Sequence, residues 1–410
     1  MHLVVFEGSY WTSFAPLSLS RPVFSLVSGR STLLEKQIRH VQPKRLSIWV
    51  RPEMEQHVRQ RIVPTIKIPV SINEPLDDEP AIILSGRTLI HRRYRVPENY
   101  GVAFDEGPVI REAYVKMPGL SPEDIRQRND KWKQVIDLAR MEPQALIVQS
   151  VWDLINWNEE SLIEDSTFLK GKPKPKVAGP FYFVNDDDIW LGDEVDLKPG
   201  CVLDASHGPI VIEEHVTIGS NAVIEGPCFI GRYSQIKALA HIRSCTSIGM
   251  MCRIGGEVSN SIFLGYTNKL HDGFMGDSYI GKWVNLGAGT TTSNMKNTHG
   301  EINVRMGSRE ISTGRRFLGV LIGDHCKTSK LTRLQSGGYV GFCSLLAGSS
   351  IVPKFIPSFS FWSDDKVETY RLDKAISVIK GVFARRDRSW TQMDEMIMRY
   401  VKEQAPAVEK

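Results

Sequence analysis

The sequence predicts an α/β domain, then a long parallel β-helix, and finally a short C-terminal helical segment. Isoleucine recurs at every sixth position from Ile212 to Ile254, and a second small or aliphatic residue stands two positions before each isoleucine. A six-residue period matches neither a helix nor an alternating strand, and an ordinary antiparallel sheet would match it only by chance spacing. A triangular coil with one strand and one turn per hexad explains it, at about 18 residues per coil.

Glycines mark the corners of the predicted coil. Gly219, Gly231, Gly249 and Gly255 each follow an isoleucine of the repeat. A tight corner between short strands favours a residue without a Cβ atom. The six-residue pattern already begins at Leu191, before this run. Its spacing is interrupted by three additional residues at 207–209.

Composition limits the classes of partner. The 410 residues carry a net charge of +4, from 51 basic and 47 acidic residues. This near balance indicates neither nucleic acid nor a membrane as a partner. The opening residues lack a signal-peptide pattern and the chain has no apolar run of membrane-spanning length, so we predict a cytoplasmic protein.

All six cysteines lie in the repeat region, and none forms a C-x-x-C pair. Cys201, Cys228 and Cys252 occupy the small inner position of the hexad. We therefore expect packed free thiols in a reducing compartment.

Four segments follow from these patterns. They are an α/β domain at 1–149, a helix and linker at 150–180, the β-helix at 181–352, and a linker with amphipathic helices at 353–410. In the first, apolar strands alternate with a helix at 31–40, which favours a mostly parallel sheet. The predicted strands are 3–6, 46–50, 70–72 and 81–84.

The second segment starts with an amphipathic helix at 151–157 and contains a stiff basic linker at 171–176. The tail at 370–402 is amphipathic at helical spacing, and Gly381 with the polar run 385–389 is expected to divide it into two helices. Its apolar face should dock on its own β-helix or on a neighbouring copy. Its basic cluster, Arg385, Arg386 and Arg388, is interpreted as a solvated face in preference to a coenzyme phosphate site.

After Gly255 the six-residue rhythm breaks twice. The interruptions at 266–278 and 293–317 are interpreted as loops expelled from the coil on one face. Such loops commonly carry binding sites.

The residues around these interruptions resemble a known family. The segment from His271 to Asn294 is similar to the acetyltransferase half of bacterial bifunctional N-acetylglucosamine-1-phosphate uridyltransferase/glucosamine-1-phosphate acetyltransferase, with the pattern H-x-x-Y-x-G-D-x-x-I-G-x-x-x-N-I-G-A-G-x-x-x-x-N. A branch of sugar nucleotidyltransferases is closer still. Its motifs match GEVSNS at 256–261, GYTNKLHDGF at 265–274 and IGDHCKT at 322–328.

The resemblance implies a left-handed parallel β-helix, usually a homotrimer, joined to a nucleotidyltransferase-like domain. It implies acetyl-CoA-dependent acetylation of an amino-sugar 1-phosphate at the β-helix. It also implies transfer from UTP or dTTP to a sugar 1-phosphate at the first domain, with Mg²⁺ as the metal. Two alternatives stay open: a nucleotidyltransferase whose β-helix serves only oligomerisation, and a non-catalytic scaffold that binds sugar phosphates.

Candidate site residues follow from the motif. A histidine, with an ordinary pKa of about 6.5, suits a general base, and His271 matches the catalytic histidine of the family. Asn285 is the second catalytic candidate. As an alternative, His271 anchors its loop through Asp272. The substrate-binding candidates are Arg21, Asn268, Lys269, Asp272, Asn294, Lys296 and Lys327.

Two positions of the β-helix depart from the family pattern. Phe274 replaces the tyrosine three residues after the histidine, and Asn260 stands where a phosphate-binding lysine is expected. The positive charge that is missing at position 260 could come instead from Lys269, Lys296, Lys327, Lys330 or Arg333. The other histidines lack the close spacing of zinc ligands, so no metal is predicted there.

The first domain also departs from the pattern. The motif P-L-x-x-x-R-P is kept at 16–22, where Arg21 is either a phosphate clamp or a solvated arginine. The G-x-G motif is absent, Val23 replaces a lysine, and Arg87 ends the strand that should end in G-D. An arginine cannot ligate Mg²⁺, and the remaining carboxylates are Asp77, Asp78, Asp105 and Glu106. We expect this domain to bind a nucleotide or sugar phosphate through Arg21, with weak or altered transferase chemistry.

Overall fold

The computed structural model describes residues 1–105, 107, 109–171, 179–364 and 366–410. Glu106 and the basic run 172–176 lie outside the described residues. The chain divides into two compact units. The N-terminal unit comprises Met1–Phe14, Arg21–Leu26 and Ser31–Ser150, and the β-helix unit comprises Ala15–Ser20, Val27–Arg30 and Val151–Lys410.

A six-stranded sheet forms the centre of the N-terminal unit, in the order β3-β2-β1-β4-β6-β5. The first four strands in this order are parallel, as expected, and β6 runs antiparallel to both β4 and β5. The strands are β1 His2–Phe6, β2 Arg45–Trp49, β3 Val70–Ile72, β4 Ala81–Ser85, β5 Gly101–Phe104 and β6 Ile110–Val115.

Helix α1, Leu33–Val41, confirms the helix predicted for this unit. The side chain of Thr32 accepts from the backbone of Glu35, and the Glu35 side chain accepts from the backbone of Thr32, which satisfies two amide groups at the helix start. The unit also contains α2, Pro122–Gln127, and α3, Asp130–Ile136.

The second unit is a parallel β-helix with three faces, as the hexads predict. Ile212 pairs with Ile230, and Ile230 pairs with Ile248, so a regular coil takes 18 residues. The isoleucines stack in a buried interior. Face 1 contains Tyr182–Val184, Val202–Asp204, Val223–Glu225, His241–Ile242, Glu257–Ser259 and Phe274–Gly276.

Face 2 contains Ile189–Leu191, Ile210–Ile212, Cys228–Ile230, Thr246–Ile248, Ile262–Phe263, Tyr279–Ile280, Val320–Ile322, Gly338–Val340 and Phe355–Ile356. Face 3 contains Asp196–Leu197, Thr217–Ile218, Gln235–Ile236, Arg253–Ile254 and Asn268–Lys269. It continues through Asn285 to Lys327–Thr328, Leu345–Leu346 and Ser360–Ser363, beside the antiparallel Lys366–Thr369. Thr291–Thr292 and Arg333–Leu334 form a further parallel pair.

The corners are made in two ways. A Cβ atom added to Gly231 would lie 2.7 Å from the backbone nitrogen of Met250 in the next coil, so the close approach of successive coils selects glycine there. Other corner residues adopt left-handed backbone angles without being glycine, as Tyr233, Leu239, Cys245 and Met251 do at six-residue intervals. The corner therefore imposes its backbone conformation even on side chains that disfavour it.

One of the two predicted insertions is wrong. Residues 266–278 form part of a coil, because Asn268–Lys269 continues face 3 and Phe274–Gly276 continues face 1. The second insertion is real and contains an antiparallel hairpin, Ile302–Met306 with Arg309–Arg315. The pattern failed at 266–278 because coils there are shorter than 18 residues: Ser247 pairs with Ile262, and Ile262 pairs with Tyr279.

Among the described residues of the β-helix unit, four α-helices are present: α4 Val151–Asn156, α5 Asn158–Thr167, α6 Leu372–Ala384 and α7 Gln392–Val408. The tail is divided at the polar run as predicted, but Gly381 lies inside α6. The tail docks on its own β-helix, where the ring of Phe383 stacks on Trp283 at 4.3 Å between centroids. This aromatic contact fixes the end of α6 against the corner between faces 2 and 3.

The cysteines are free thiols, and Cys201, Cys228 and Cys252 are buried as their hexad position predicts. Burial raises the pKa of Cys252 to about 12, which keeps this thiol protonated. Among the described residues, no helix has both the length and the apolar character needed to cross a membrane.

Candidate functional site

His271 lies at the corner between Asn268–Lys269 on face 3 and Phe274–Gly276 on face 1. Its side chain is exposed and makes no hydrogen bond with any other residue that the structure describes. The backbone oxygen of Asp272 accepts from Gly289 at 3.1 Å, but the Asp272 carboxylate does not hold His271. The anchoring alternative for His271 thus has no hydrogen bond to support it, and the ring is accessible to a substrate.

Lys269 lies on the interior side of the same corner. Its side chain is buried, and Nζ donates to the backbone oxygens of Gly255 at 2.7 Å and His271 at 3.2 Å. Burial lowers the Lys269 pKa to about 8. The expectation that Lys269 contacts a substrate is therefore corrected, because its ammonium is directed to the backbone that carries His271.

Replacing Lys269 by methionine should change how stability depends on pH. With a folded-state pKa near 8 and an unfolded value near 10.4, the unfolded chain binds more protons between these pH values. The free energy of unfolding of the wild type should therefore rise across this window by roughly 3 kcal/mol relative to that of Lys269→Met. Urea unfolding at pH 7.5, 9 and 10.5 measures the difference, with exposed Lys330→Met as the control. A constant difference across the window would contradict the buried placement of the ammonium.

Asn268, Asn285 and Lys327 occupy equivalent positions on successive coils of face 3. Arg386 donates from Nη2 to Oδ1 of Asn268 at 2.7 Å, which orients the Asn268 amide. Asn268 then donates from Nδ2 to Oδ1 of Asn285 at 3.3 Å. Asn285 is exposed, and its amide nitrogen makes no hydrogen bond to another described residue, so it can act as a donor.

The basic cluster of the tail is therefore not simply a solvated face. Arg386 is half-buried and donates to Asn268. Arg388 is exposed and donates to the hydroxyl of Tyr266, and Arg385 is exposed. The sequence prediction erred because these arginines lie more than a hundred residues from their partners. Nothing in a local pattern reports such a contact.

The remaining predicted cations are scattered. Lys327 is half-buried on face 3, where burial lowers its pKa and Nζ donates to the His325 backbone oxygen at 3.2 Å. Lys296 donates to the backbone oxygen of Glu301. Arg333 is exposed and donates to the backbone oxygen of Ser349 at 3.1 Å. The structure thus does not gather these cations into one phosphate site.

Asn294 and Asn260 meet at a carboxylate that our sequence analysis did not single out. Asn260 donates from Nδ2 to Oδ1 of Asp277 at 2.6 Å, and Asn294 donates from Nδ2 to Oδ2 at 2.7 Å. Burial raises the pKa of Asp277, while the two amides oppose this shift. The family pattern includes this aspartate as the D of G-D, so the signal was present.

In the N-terminal unit, charged residues follow three adjacent parallel strands at their carboxyl ends. Glu7 follows β1, Arg51 follows β2 and Arg87 follows β4. This edge is where open α/β sheets bind ligands. The Arg51 guanidinium pairs with Glu7 at 2.5 Å and lies 4.1 Å from the ring centre of Trp11.

Arg87 forms a buried ion pair at this edge, and the exposed Gln149 contacts both partners. Its Nη2 atom pairs with Asp105 at 3.0 Å, and Nη1 donates to Oε1 of Gln149 at 2.5 Å. Gln149 in turn donates to both oxygens of Asp105, at 2.9 and 3.0 Å. The guanidinium also lies 4.6 Å from the ring centre of Tyr10.

This arrangement does not fit Mg²⁺. Arg87 places a cation where the family motif has a carboxylate, and the Asp105 oxygens are already hydrogen-bonded. Of the other candidates, Asp77 pairs with Arg45 and Asp78 pairs with Lys116. The described residues contain no cluster of three or more His, Cys, Asp or Glu that could hold a metal.

Arg21 is buried in the loop after β1, and its backbone oxygen accepts from Arg51 Nη2 at 3.3 Å. The solvated-arginine interpretation is thereby excluded. Its role in binding a phosphate stays a prediction.

Comparison with known proteins supports the resemblance drawn from the motifs. Residues 3–173 match the model of a family described as sugar nucleotidyl transferase. The chain is similar to a bifunctional sugar-1-phosphate nucleotidylyltransferase/acetyltransferase of Sulfurisphaera tokodaii, with 33% identity over 147 residues, 35% of this chain and 37% of that protein.

It is also similar to the bifunctional protein GlmU of two organisms. For Synechococcus elongatus the identity is 29% over 198 residues, covering 44% of this chain and 39% of that protein. For Methanococcus vannielii it is 35% over 168 residues, covering 37% and 39%. The chain thus spans less than two fifths of the length of these relatives.

Proposed function

We propose that the β-helix unit transfers an acetyl group from acetyl-CoA to the amine of an amino-sugar 1-phosphate, within nucleotide-sugar biosynthesis. The observation that carries this proposal is the accessible ring of His271 at a corner fixed by Lys269. The similarity to bifunctional nucleotidylyltransferase/acetyltransferases supports the same chemistry.

In this proposal the amine nitrogen of the sugar attacks the thioester carbonyl of acetyl-CoA, and His271 accepts a proton from that amine. The C–N bond forms, the C–S bond breaks, and the proton passes to the departing CoA thiolate. The exposed amide of Asn285 donates to the oxygen that becomes negative, and the Arg386–Asn268 contact holds that amide in place. Assembly as a homotrimer, as the resemblance implies, belongs to the same proposal.

The N-terminal unit has a second candidate function, transfer of a nucleotide from UTP or dTTP to a sugar 1-phosphate. The match of residues 3–173 to the sugar nucleotidyl transferase model favours it. The Arg87–Asp105 pair opposes the Mg²⁺-dependent form of this chemistry. We therefore assign this unit to binding a nucleotide or sugar phosphate, with Arg21 as the expected phosphate contact.

An acceptor panel tests the acetyl-transfer proposal. Purified protein with acetyl-CoA should release CoA thiol with glucosamine 1-phosphate and should fail with N-acetylglucosamine 1-phosphate or glucose 1-phosphate, which lack a free amine. Mass spectrometry of the product should show one added acetyl group. Thiol release that does not depend on the amine would contradict the proposal.

A further inference from the structure

The loop after β1 is divided between the two compact units. Arg21–Leu26 belongs to the N-terminal unit, whereas the flanking segments Ala15–Ser20 and Val27–Arg30 belong to the β-helix unit. The motif P-L-x-x-x-R-P at 16–22 thus begins in the β-helix unit, and Arg21 is the first residue after the chain leaves that unit.

The loop has little regular structure of its own on either side of Arg21. It forms 3₁₀ turns of three residues each at Leu17–Leu19 and Val23–Ser25. Such short turns have poor hydrogen-bond geometry and depend on their surroundings for stability. Leu17–Leu19 is buried and packs against α7. The conformation around Arg21 therefore depends on contacts that the loop makes with the rest of the protein.

A carboxylate of the β-helix holds the residue before Arg21. Ser20 donates from Oγ to Oδ2 of Asp324 at 2.8 Å, and both side chains are buried. The other carboxylate oxygen, Oδ1, accepts from the backbone nitrogen of Lys282 in the preceding coil at 2.7 Å. Asp324 is the aspartate of the segment IGDHCKT, to which our sequence analysis gave no role. This carboxylate thus ties Ser20 to two successive coils.

A tyrosine of the β-helix holds the residue after the same segment. The Tyr279 hydroxyl accepts from the backbone nitrogen of Val27 at 2.8 Å and donates to the backbone oxygen of Val27 at 2.9 Å. The Tyr279 side chain is fully buried on face 2. Two residues further along, the backbone nitrogen of Gly29 donates to Oδ1 of Asn158 in α5 at 2.7 Å. The β-helix unit therefore holds both flanks of Arg21–Leu26.

We propose that Tyr279 and Asp324 are positioning residues for the phosphate contact of Arg21. They hold the chain at Val27 and Ser20, which are joined by peptide bonds to the two ends of the segment that carries the arginine. Loss of either contact lowers the fraction of molecules in the binding conformation, and the apparent affinity falls by the same factor. The inference rests on the phosphate binding proposed for the N-terminal unit and is separate from acetyl transfer.

Isothermal titration with UTP measures the effect on binding. Wild-type protein should bind UTP, and Arg21→Ala should not. Tyr279→Phe removes only the hydroxyl and should weaken the affinity about tenfold, as expected for lost hydrogen bonds to buried backbone groups.

Tyr339→Phe is the matched control for Tyr279→Phe. Tyr339 is another fully buried tyrosine in the same row of face 2, two coils further along, and its hydroxyl donates to Glu409 at 2.8 Å. The substitution therefore removes a buried hydroxyl from the same face without touching the contact to Val27. Its affinity for UTP should equal that of the wild type.

Two variants at Asp324 separate positioning from a general loss of structure. Asp324→Ala removes both hydrogen bonds of the carboxylate and should weaken UTP binding about tenfold. Asp324→Asn keeps an acceptor for Lys282 and places an amide beside Ser20, whose hydroxyl can also accept, so most of the affinity should return. Wild-type affinity in Asp324→Ala would overturn the role of Asp324.

Amide hydrogen exchange of the ligand-free proteins tests the positioning without UTP. Tyr279→Phe should accelerate exchange at residues 21–27, and Tyr339→Phe should leave exchange there unchanged. Unchanged exchange at 21–27 in Tyr279→Phe would overturn the positioning. Absence of UTP binding by the wild type would instead overturn the phosphate binding proposed for Arg21, so the two failures are distinguishable.

Discussion

Replacing His271 by alanine is expected to lower kcat for acetyl transfer by about 10²- to 10⁴-fold, the usual contribution of a positioned general base. The ring is exposed and bonds to no described side chain, so its removal should leave stability unchanged. Steady-state thiol release and a thermal melt on the same preparation separate the two effects.

His207→Ala is the matched control for this variant. His207 is another exposed histidine of the β-helix unit, far along the chain from the 271 corner. Its kcat should equal the wild-type value. A loss of stability in His271→Ala that accounts for its loss of activity would assign the residue a structural role instead.

The second large effect is expected at Arg87. Its side chain is 5% exposed and that of Asp105 is 9% exposed, so Arg87→Met leaves a buried carboxylate without its cation. Breaking such a pair typically costs about 3–5 kcal/mol. Chemical unfolding of the N-terminal unit measures this change.

Two further variants make the stability prediction specific. Arg126→Ala breaks an exposed pair with Glu123 and should cost less than about 1 kcal/mol. The double variant Arg87→Met/Asp105→Leu should recover most of the loss, because an apolar pair removes the buried charge altogether. A cost below about 1 kcal/mol for Arg87→Met alone would refute the buried Arg87–Asp105 ion pair.

The regular part of the fold was predictable from local patterns. The six-residue period fixed the interior of the β-helix because every sixth residue must fill the same narrow core, as Ile212, Ile230 and Ile248 do. The strands and helix at the start of the chain followed from apolar runs in the same way. The wrong prediction of an insertion at 266–278 shows where this pattern fails. Coils shorter than 18 residues continue the β-helix but do not preserve the six-residue period in the sequence.

The candidate site was predictable only where a motif carries it. His271 and Asn285 followed from the motif, whereas the contact of Arg386 with Asn268 joins residues 118 positions apart. The inward direction of Lys269 also could not be read from the sequence, because an ionisable side chain is normally expected at the surface. Likewise, the sequence identified Arg87 as a departure from the family pattern, but only the structure shows that it contacts Asp105 and Gln149.

The most direct test of the account compares two products from one preparation. Wild-type protein is given acetyl-CoA with glucosamine 1-phosphate in one reaction, and UTP or dTTP with Mg²⁺ and a sugar 1-phosphate in the other. We predict CoA release at an enzymic rate and no pyrophosphate release at such a rate. Pyrophosphate release without CoA release would contradict the account and identify the protein as a nucleotidyltransferase with a structural β-helix.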